Sequence, residues 1–252
     1  MSKKPDPVIK SSPSTIHTSR TLMFEELAKV MDFGIQDDSY QDSLDQNITN
    51  KATKKNLEKT NRYLRRLYSF DPHSPAFISF KYFWKIVDGE ERPLLALLYA
   101  LCNDFLLSES IPVVQGTAIG DKVRVEYFEE NLEKGHPNRY SSITRKSVAK
   151  NLASSWKQAG YITGKVKSIR TKTSPSFLVV AFALLLSYLH GDRGDYILSS
   201  KWAQALDLNE TTLRTQAFEA AKRDLLQYQF AGEVTTLSFH NLLNKLGIHV
   251  DS

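Results

Sequence analysis

Thirteen residues from Phe177 to Leu189 run without a charge, and only Ser187 interrupts their apolar character. A helix that is apolar on every face has no side to show to water, so other elements must enclose it. The run is shorter than the roughly 20 residues that a membrane-crossing helix needs, so the expectation is a buried core helix and no membrane span. Leu94 to Leu107 is apolar on nearly every face as well, and Pro93 stands where a helix-opening proline belongs. Phe77 to Val87 concentrates Phe77, Phe80, Tyr82, Phe83 and Trp84 and must be heavily buried. A chain of 252 residues can enclose such segments in one large domain or two modest ones. The single cysteine, Cys102, lies in the second apolar run with no partner for an intrachain disulfide. It reads as a small buried hydrophobe, which fits a reducing cytoplasm.

The remaining segments are mostly helical by periodicity. Thr21 to Met31 is amphipathic, with Phe24, Leu27 and Met31 on one side and Thr21 as a cap. The polar stretch Asp37 to Asn50 has room for another short helix. Thr53 to Tyr68 repeats Leu57, Leu64, Leu67 and Tyr68 at helical spacing, and Phe70, Asp71 and Pro72 stop it. Pro112 to Asp121 reads as a loop, Val123 to Leu132 as a helix, and Gly135 to Asn138 as a break at a domain boundary. Thr144 to Ala159 is a helix closed by Gly160. Tyr161 to Thr173 sets Ile162, Val166 and Ile169 among lysines, with Gly164 for a turn, and suits a small hairpin. Trp202 to Leu208 and Asn209 to Tyr228 complete a mainly α chain. Met1 to Ser14 is rich in Ser, Pro and Lys with no apolar core. It is expected to be a disordered tail rather than a secretory signal.

Charge is distributed unevenly. Between Glu133 and Asp192 there is no acidic residue, while Lys134, Arg139, Arg145, Lys146, Lys150, Lys157, Lys165, Lys167, Arg170 and Lys172 are basic. That span carries +10 in a chain of net charge +5. On the Thr144 to Ala159 helix, Val148, Ala149, Leu152, Trp156 and Ala159 share one face. Lys146, Lys150 and Lys157 share another, with small Ala153 and Ser154 between them. Ser141, Ser142 and Thr144 place hydroxyls and free N–H groups at its start, which suits a phosphate. A helix followed by a basic hairpin is the order of a winged helix-turn-helix, where the helix enters the major groove and the wing touches the backbone. A second cationic stripe, Lys51, Lys55, Lys59, Arg62 and Arg66, falls opposite the apolar face of the Thr53 to Tyr68 helix when residues are projected at about 100° each. Such patterns fit phosphate tracking; a solvated surface or a site for an acidic protein partner gives the same pattern. Lys201 to Gln216 also has helix-turn-helix spacing, but Asp207, Glu210, Glu219 and Asp224 offset its cations. Structural packing or protein contact is the expectation there.

No catalytic signature stands out. The six histidines are scattered without metal-ligand spacing, one cysteine excludes a zinc finger, and Gly116 to Lys122 lacks the Gly-Lys-Ser/Thr ending of a phosphate loop. The expectation is a protein that is not an enzyme, with no metal and no cofactor.

Four stretches, Asn61 to Tyr68, Leu94 to Asp104, Asn151 to Tyr161 and Tyr188 to Gly194, resemble the BrxA family of BREX bacteriophage-defence systems. The resemblance spans about residues 16 to 240. It implies a cytoplasmic, mainly α-helical protein that binds double-stranded DNA and works beside a DNA methyltransferase, an ATPase and a phosphatase-like protein. It implies two globular parts, a NusB-like N-terminal bundle and a C-terminal helix-turn-helix-like module, for which the small basic hairpin read above suggests a winged-helix form. With the break at Gly135, the expected organisation is a tail over 1–15, a bundle over 16–135 and a DNA-binding module over 136–252. The DNA contacts are expected from Lys51, Lys55, Lys59, Arg62, Arg66, Arg145, Lys146, Lys150, Lys157, Lys165, Lys167, Arg170 and Lys172. They would touch mainly phosphates and show little sequence specificity, because lysines dominate the second patch and lysine fits bidentate base readout less well than arginine. An RNA-binding, antitermination-like module and an adaptor for an acidic protein are the alternatives.

Overall fold

The computed structural model describes residues 14–37, 39–231 and 234–249. They are mainly helical: α1 (Phe24–Asp37), α2 (Tyr40–Asp45), α3 (Lys54–Tyr68), α4 (Pro75–Ile86), α5 (Arg92–Ala100), α6 (Phe105–Glu109), α7 (Ile111–Gln115), α8 (Val125–Gly135) and α9 (Ser142–Gln158), then α10 (Phe177–Leu189), α11 (Asp195–Leu198), α12 (Lys201–Ala205), α13 (Glu210–Ala221) and α14 (His240–Lys245). Two antiparallel hairpins complete the fold, β1 (Ile162–Thr163) with β2 (Ile169–Arg170), and β3 (Gln227–Ala231) with β4 (Val234–Ser238).

These elements form two compact units that do not follow chain order. One, here the apolar unit, takes His73–Cys102 and the chain from Thr173 onward. The other, here the basic unit, takes residues 14–72 and Asn103–Lys172. Residues 16–135 and 136–252 therefore do not separate into an N-terminal bundle and a C-terminal module. The break at Gly135 to Asn138 joins α8 to α9 inside the basic unit, where the two helices pack together. Of the expected tail, only Ser14 and Thr15 are among the described residues.

The apolar unit is built around α10, whose residues Val179 to Leu189 are all buried. Helices α4, α5, α12 and α13 pack against it. The aromatic residues of α4 meet this core directly. Phe80 stacks on Tyr99 at 4.6 Å, and Phe83 lies 5.3 Å from Phe182. The Glu91 carboxylate accepts both the N–H and the hydroxyl of Ser176, each at 2.6 Å, and so closes the exposed start of α10. Trp202 Nε1 donates to the Leu98 carbonyl at 3.1 Å.

Three sequence expectations change. The run Leu94 to Leu107 is not one helix: α5 stops at Ala100, and Asp104 begins α6 by accepting the Leu107 N–H at 3.0 Å. Pro112 lies inside α7 rather than in a loop, at a position where its missing N–H leaves no helical bond unmade. The helix expected to reach Tyr228 ends at Ala221, and the chain turns at Asp224 (φ 56°) into the β3–β4 hairpin.

The basic unit is tied together by its first ordered segment. Residues 14–23 run between α3 and α9 and bond to both. Tyr68 on α3 donates its hydroxyl to the Leu22 carbonyl at 2.6 Å, and Arg66 Nε bonds the Ser14 hydroxyl. On α9, Asn151 donates to the His17 carbonyl at 2.8 Å, Ser155 Oγ accepts the Leu22 N–H at 2.8 Å, and Gln158 accepts the Phe24 N–H at 3.1 Å. Asn151, Ser155 and Gln158 stand four and three residues apart, which puts them on one face of the helix.

Candidate nucleic-acid interface

All of the net charge of +5 falls in the basic unit, where 21 Lys and Arg face 16 Asp and Glu; the remaining residues balance. Both cationic stripes expected from sequence lie in this one unit.

Helix α9 presents the second stripe. Val148, Ala149, Leu152 and Trp156 are buried on its inner side, and Trp156 meets Tyr161 edge-on at 5.0 Å and donates to Ser110 Oγ at 2.8 Å. Ile143, Lys146, Ser147, Lys150 and Lys157 are exposed. At 100° per residue they fall within a stripe about a quarter of the circumference wide. The start of α9 is partly satisfied already. The Ser141 hydroxyl accepts the Thr144 N–H at 3.3 Å and lies 3.0 Å from the Thr144 hydroxyl, a normal N-cap.

The hairpin follows directly. Gly164 turns it with φ +93°, and a Cβ there would come within 2.1 Å of the Lys167 carbonyl oxygen, so only glycine fits the turn. Lys157 Nζ bonds the Gly164 carbonyl, joining helix and hairpin. Lys165, Lys167 and Lys172 are exposed around it. A third short segment completes the sheet: Gly120 N donates to Arg170 O, Arg170 N to Asp121 O and Val123 N to Ser168 O, all at 2.9 Å. Lys122 pairs with Ile169 across this seam and stands exposed beside the wing. Sequence reasoning missed it, because nothing in the local charge pattern tells that residues 120–123 pair with residues so far along the chain.

Arg170 does not belong to the interface. It is 1% exposed, against the expectation that it touches DNA. Adjacent residues of a strand point to opposite faces, and this one points inward. Its Nε donates to the Val114 carbonyl at 2.9 Å, its Nη1 to the carbonyls of Tyr161 at 3.3 Å and Thr171, and it lies over the Tyr161 ring at 5.1 Å. Arg170 is a structural tie between α7 and the base of the wing. Arg145 is half-buried and paired with Glu133, so its charge is offset.

On α3 the stripe is presented, with one exception. Lys55, Lys59, Arg62 and Arg66 are exposed, whereas Lys51 precedes the helix, is half-buried and pairs with Glu26 at 2.8 Å. Arg62 and Arg20 both lie over the Tyr63 ring, at 5.2 and 5.0 Å. A hydrogen bond from Ser19 holds the Tyr63 phenol below its usual range against the effect of burial, helped by Arg62 and Lys59. Arg20 is a second residue that sequence missed; folding brings the 14–23 segment to α3.

Behind α9 lies a hydroxyl–imidazole–carboxylate chain. His17 Nδ1 is 2.8 Å from Asp104 Oδ2, and His17 Nε2 is 2.8 Å from Ser155 Oγ. The same three side chains serve nucleophilic catalysis elsewhere, but there the hydroxyl must reach a substrate. Here His17, Asp104 and Ser155 are at most 1% exposed. Ser155 Oγ already bonds Leu22 N and the Asn151 carbonyl, and Asp104 also accepts from Thr15 Oγ1, Ile16 N and Leu107 N. The chain is a buried clamp that fixes α9 against the 14–23 segment. Burial pushes the Asp104 carboxyl upward, but His17 and the N–H groups of Ile16 and Leu107 outweigh it and hold the carboxyl below its usual range.

Among the described residues no group of His, Cys, Asp and Glu is arranged to hold a metal, and no single helix is long and apolar enough to cross a membrane. No family model, curated protein or solved structure matches the chain.

Proposed function

We propose that this chain is a non-enzymatic, cytoplasmic, double-stranded DNA-binding subunit of a BREX-type phage-defence system, and that the face made by α9 and the β1–β2 hairpin contacts mainly phosphates. The observation that carries the reading is this face. Lys146, Lys150, Lys157, Lys165, Lys167 and Lys172 are all exposed on one helix and the hairpin that follows it. Their stretch contains no acidic residue. An exposed helix of this width fits the major groove, and a basic hairpin beside it reaches the backbone. The order α7, paired segment 120–123, α8, α9, β1, β2 is that of a winged helix, which supports the finer assignment within the basic unit. The BrxA resemblance points the same way and names the expected neighbours, a methyltransferase, an ATPase and a phosphatase-like protein.

The test compares duplex DNA, single-stranded DNA and structured RNA of equal charge in competition at low salt. The reading expects duplex DNA to win. Preference for structured RNA would move the protein to RNA binding. Binding to none of them would leave an acidic protein as the occupant of this face.

A further inference from the structure

The basic unit exposes two aliphatic side chains almost fully, Ile143 at 83% and Val166 at 95%. Each sits among cations. Ile143 lies on the outward stripe of α9, with Lys146 and Ser147 one turn on and Lys150 two turns on, all exposed. Val166 is at the hairpin tip between Lys165 and Lys167. Single exposed apolar residues are common on surfaces. On the outward stripe of α9 the exposed residues that follow Ile143 are Lys146, Ser147 and Lys150, so a polyanion held by the lysines would be pressed onto it.

We propose that Ile143 is a base-reading residue that packs on the 5-methyl group of thymine in the major groove. This rests on the reading of α9 as a duplex-binding helix. The stripe that carries Lys146 and Lys150 toward phosphates carries Ile143 at its N-terminal end, and residues at that end of a groove-entering helix meet the base edges. The thymine methyl is the one apolar group on the major-groove edge of a base pair, and an aliphatic side chain is its natural contact. Lysines holding phosphates give affinity without regard to sequence, and Ile143 adds a modest preference for thymine on top. The same contact disfavours RNA, whose uracil lacks the methyl group.

The experiment uses two duplexes of one mixed sequence, one with thymine and one with every thymine replaced by deoxyuridine, which removes the methyl groups alone. The full chain should bind the thymine duplex about three- to fivefold more tightly, the gain expected from burying one methyl-sized group. Ile143→Ala should abolish the difference while keeping the slope of affinity against salt. Ile143→Val should keep most of it. Because Ile143 is exposed, these changes leave the fold alone. Val166→Ala is the control and should keep the full preference. Equal binding of both duplexes by the unaltered chain would overturn the proposal and leave the DNA-binding reading standing. Loss of preference in Val166→Ala but not in Ile143→Ala would overturn the assignment to Ile143. Failure to bind either duplex would overturn both readings.

Discussion

Replacing Arg170 with alanine should cost about 4 kcal/mol of stability and leave the salt dependence of DNA binding nearly unchanged. The guanidinium is buried and donates to the carbonyls of Val114, Tyr161 and Thr171. The Val114 and Tyr161 carbonyls keep backbone donors in Thr117 and Thr171, so the cost is that of the three charge-assisted hydrogen bonds themselves, about 1 kcal/mol or more each. Loss of the contact over the Tyr161 ring adds roughly 1 kcal/mol. Alanine supplies neither the donors nor the volume. At a typical urea dependence of about 2 kcal/mol per M, the midpoint for the basic unit should fall by about 2 M. Urea unfolding followed by circular dichroism measures it. Arg170→Lys should fall between the two, because lysine keeps the charge and loses the planar fork. If Arg170 instead held a phosphate, the alanine variant would keep its midpoint and its salt slope would shrink by about 0.9. That pair of results would refute the structural role.

Three further outcomes follow from the geometry. Asp104 has a folded-state carboxyl below its usual range, so it contributes stability that is present above the ordinary carboxylate value of about 4 and lost as pH falls through the folded value. Asp104→Asn should flatten the acid limb of the urea midpoint between pH 7 and pH 3; an acid limb identical to that of the unaltered chain would contradict the clamp. Gly164→Ala should weaken duplex binding severalfold by disrupting the hairpin turn, because its Cβ would collide with the Lys167 carbonyl oxygen at an already left-handed φ. Unchanged affinity would remove the wing from the interface. Cys102 is buried and its thiol is pushed up to about 12, by burial first, so a thiol reagent at pH 8 should react only after unfolding. Rapid labelling of the native chain would show that the α5 end opens.

The α10 boundaries were readable from sequence because thirteen uncharged residues leave no alternative to enclosure. The α9 helix was readable because Val148, Leu152 and Trp156 against Lys146, Lys150 and Lys157 leave one register. That residues 14–72 and 103–172 fold into one unit was not readable. It depends on residues 14–23 packing with α9 through Asn151, Ser155 and Gln158, polar residues whose partners lie more than a hundred residues away. Arg170 is indistinguishable from its neighbours in composition, which records a cation but not the strand face that it occupies. The break in the Leu94 to Leu107 run turned on Asp104, which looked like a lone polar residue and is a helix cap and the hub of a buried network. The β3–β4 hairpin was missed because Tyr228 and Phe230 continue a stretch that helical spacing also accommodates.

If α9 and its hairpin form the surface that holds DNA, duplex binding must depend steeply on salt. Six exposed lysines there predict log affinity falling with log salt at a slope near −5, and Lys146→Ala with Lys150→Ala should reduce the slope to about −3.5 with the urea midpoint unchanged. A slope close to zero, or one that the paired substitution leaves unaltered, would contradict it.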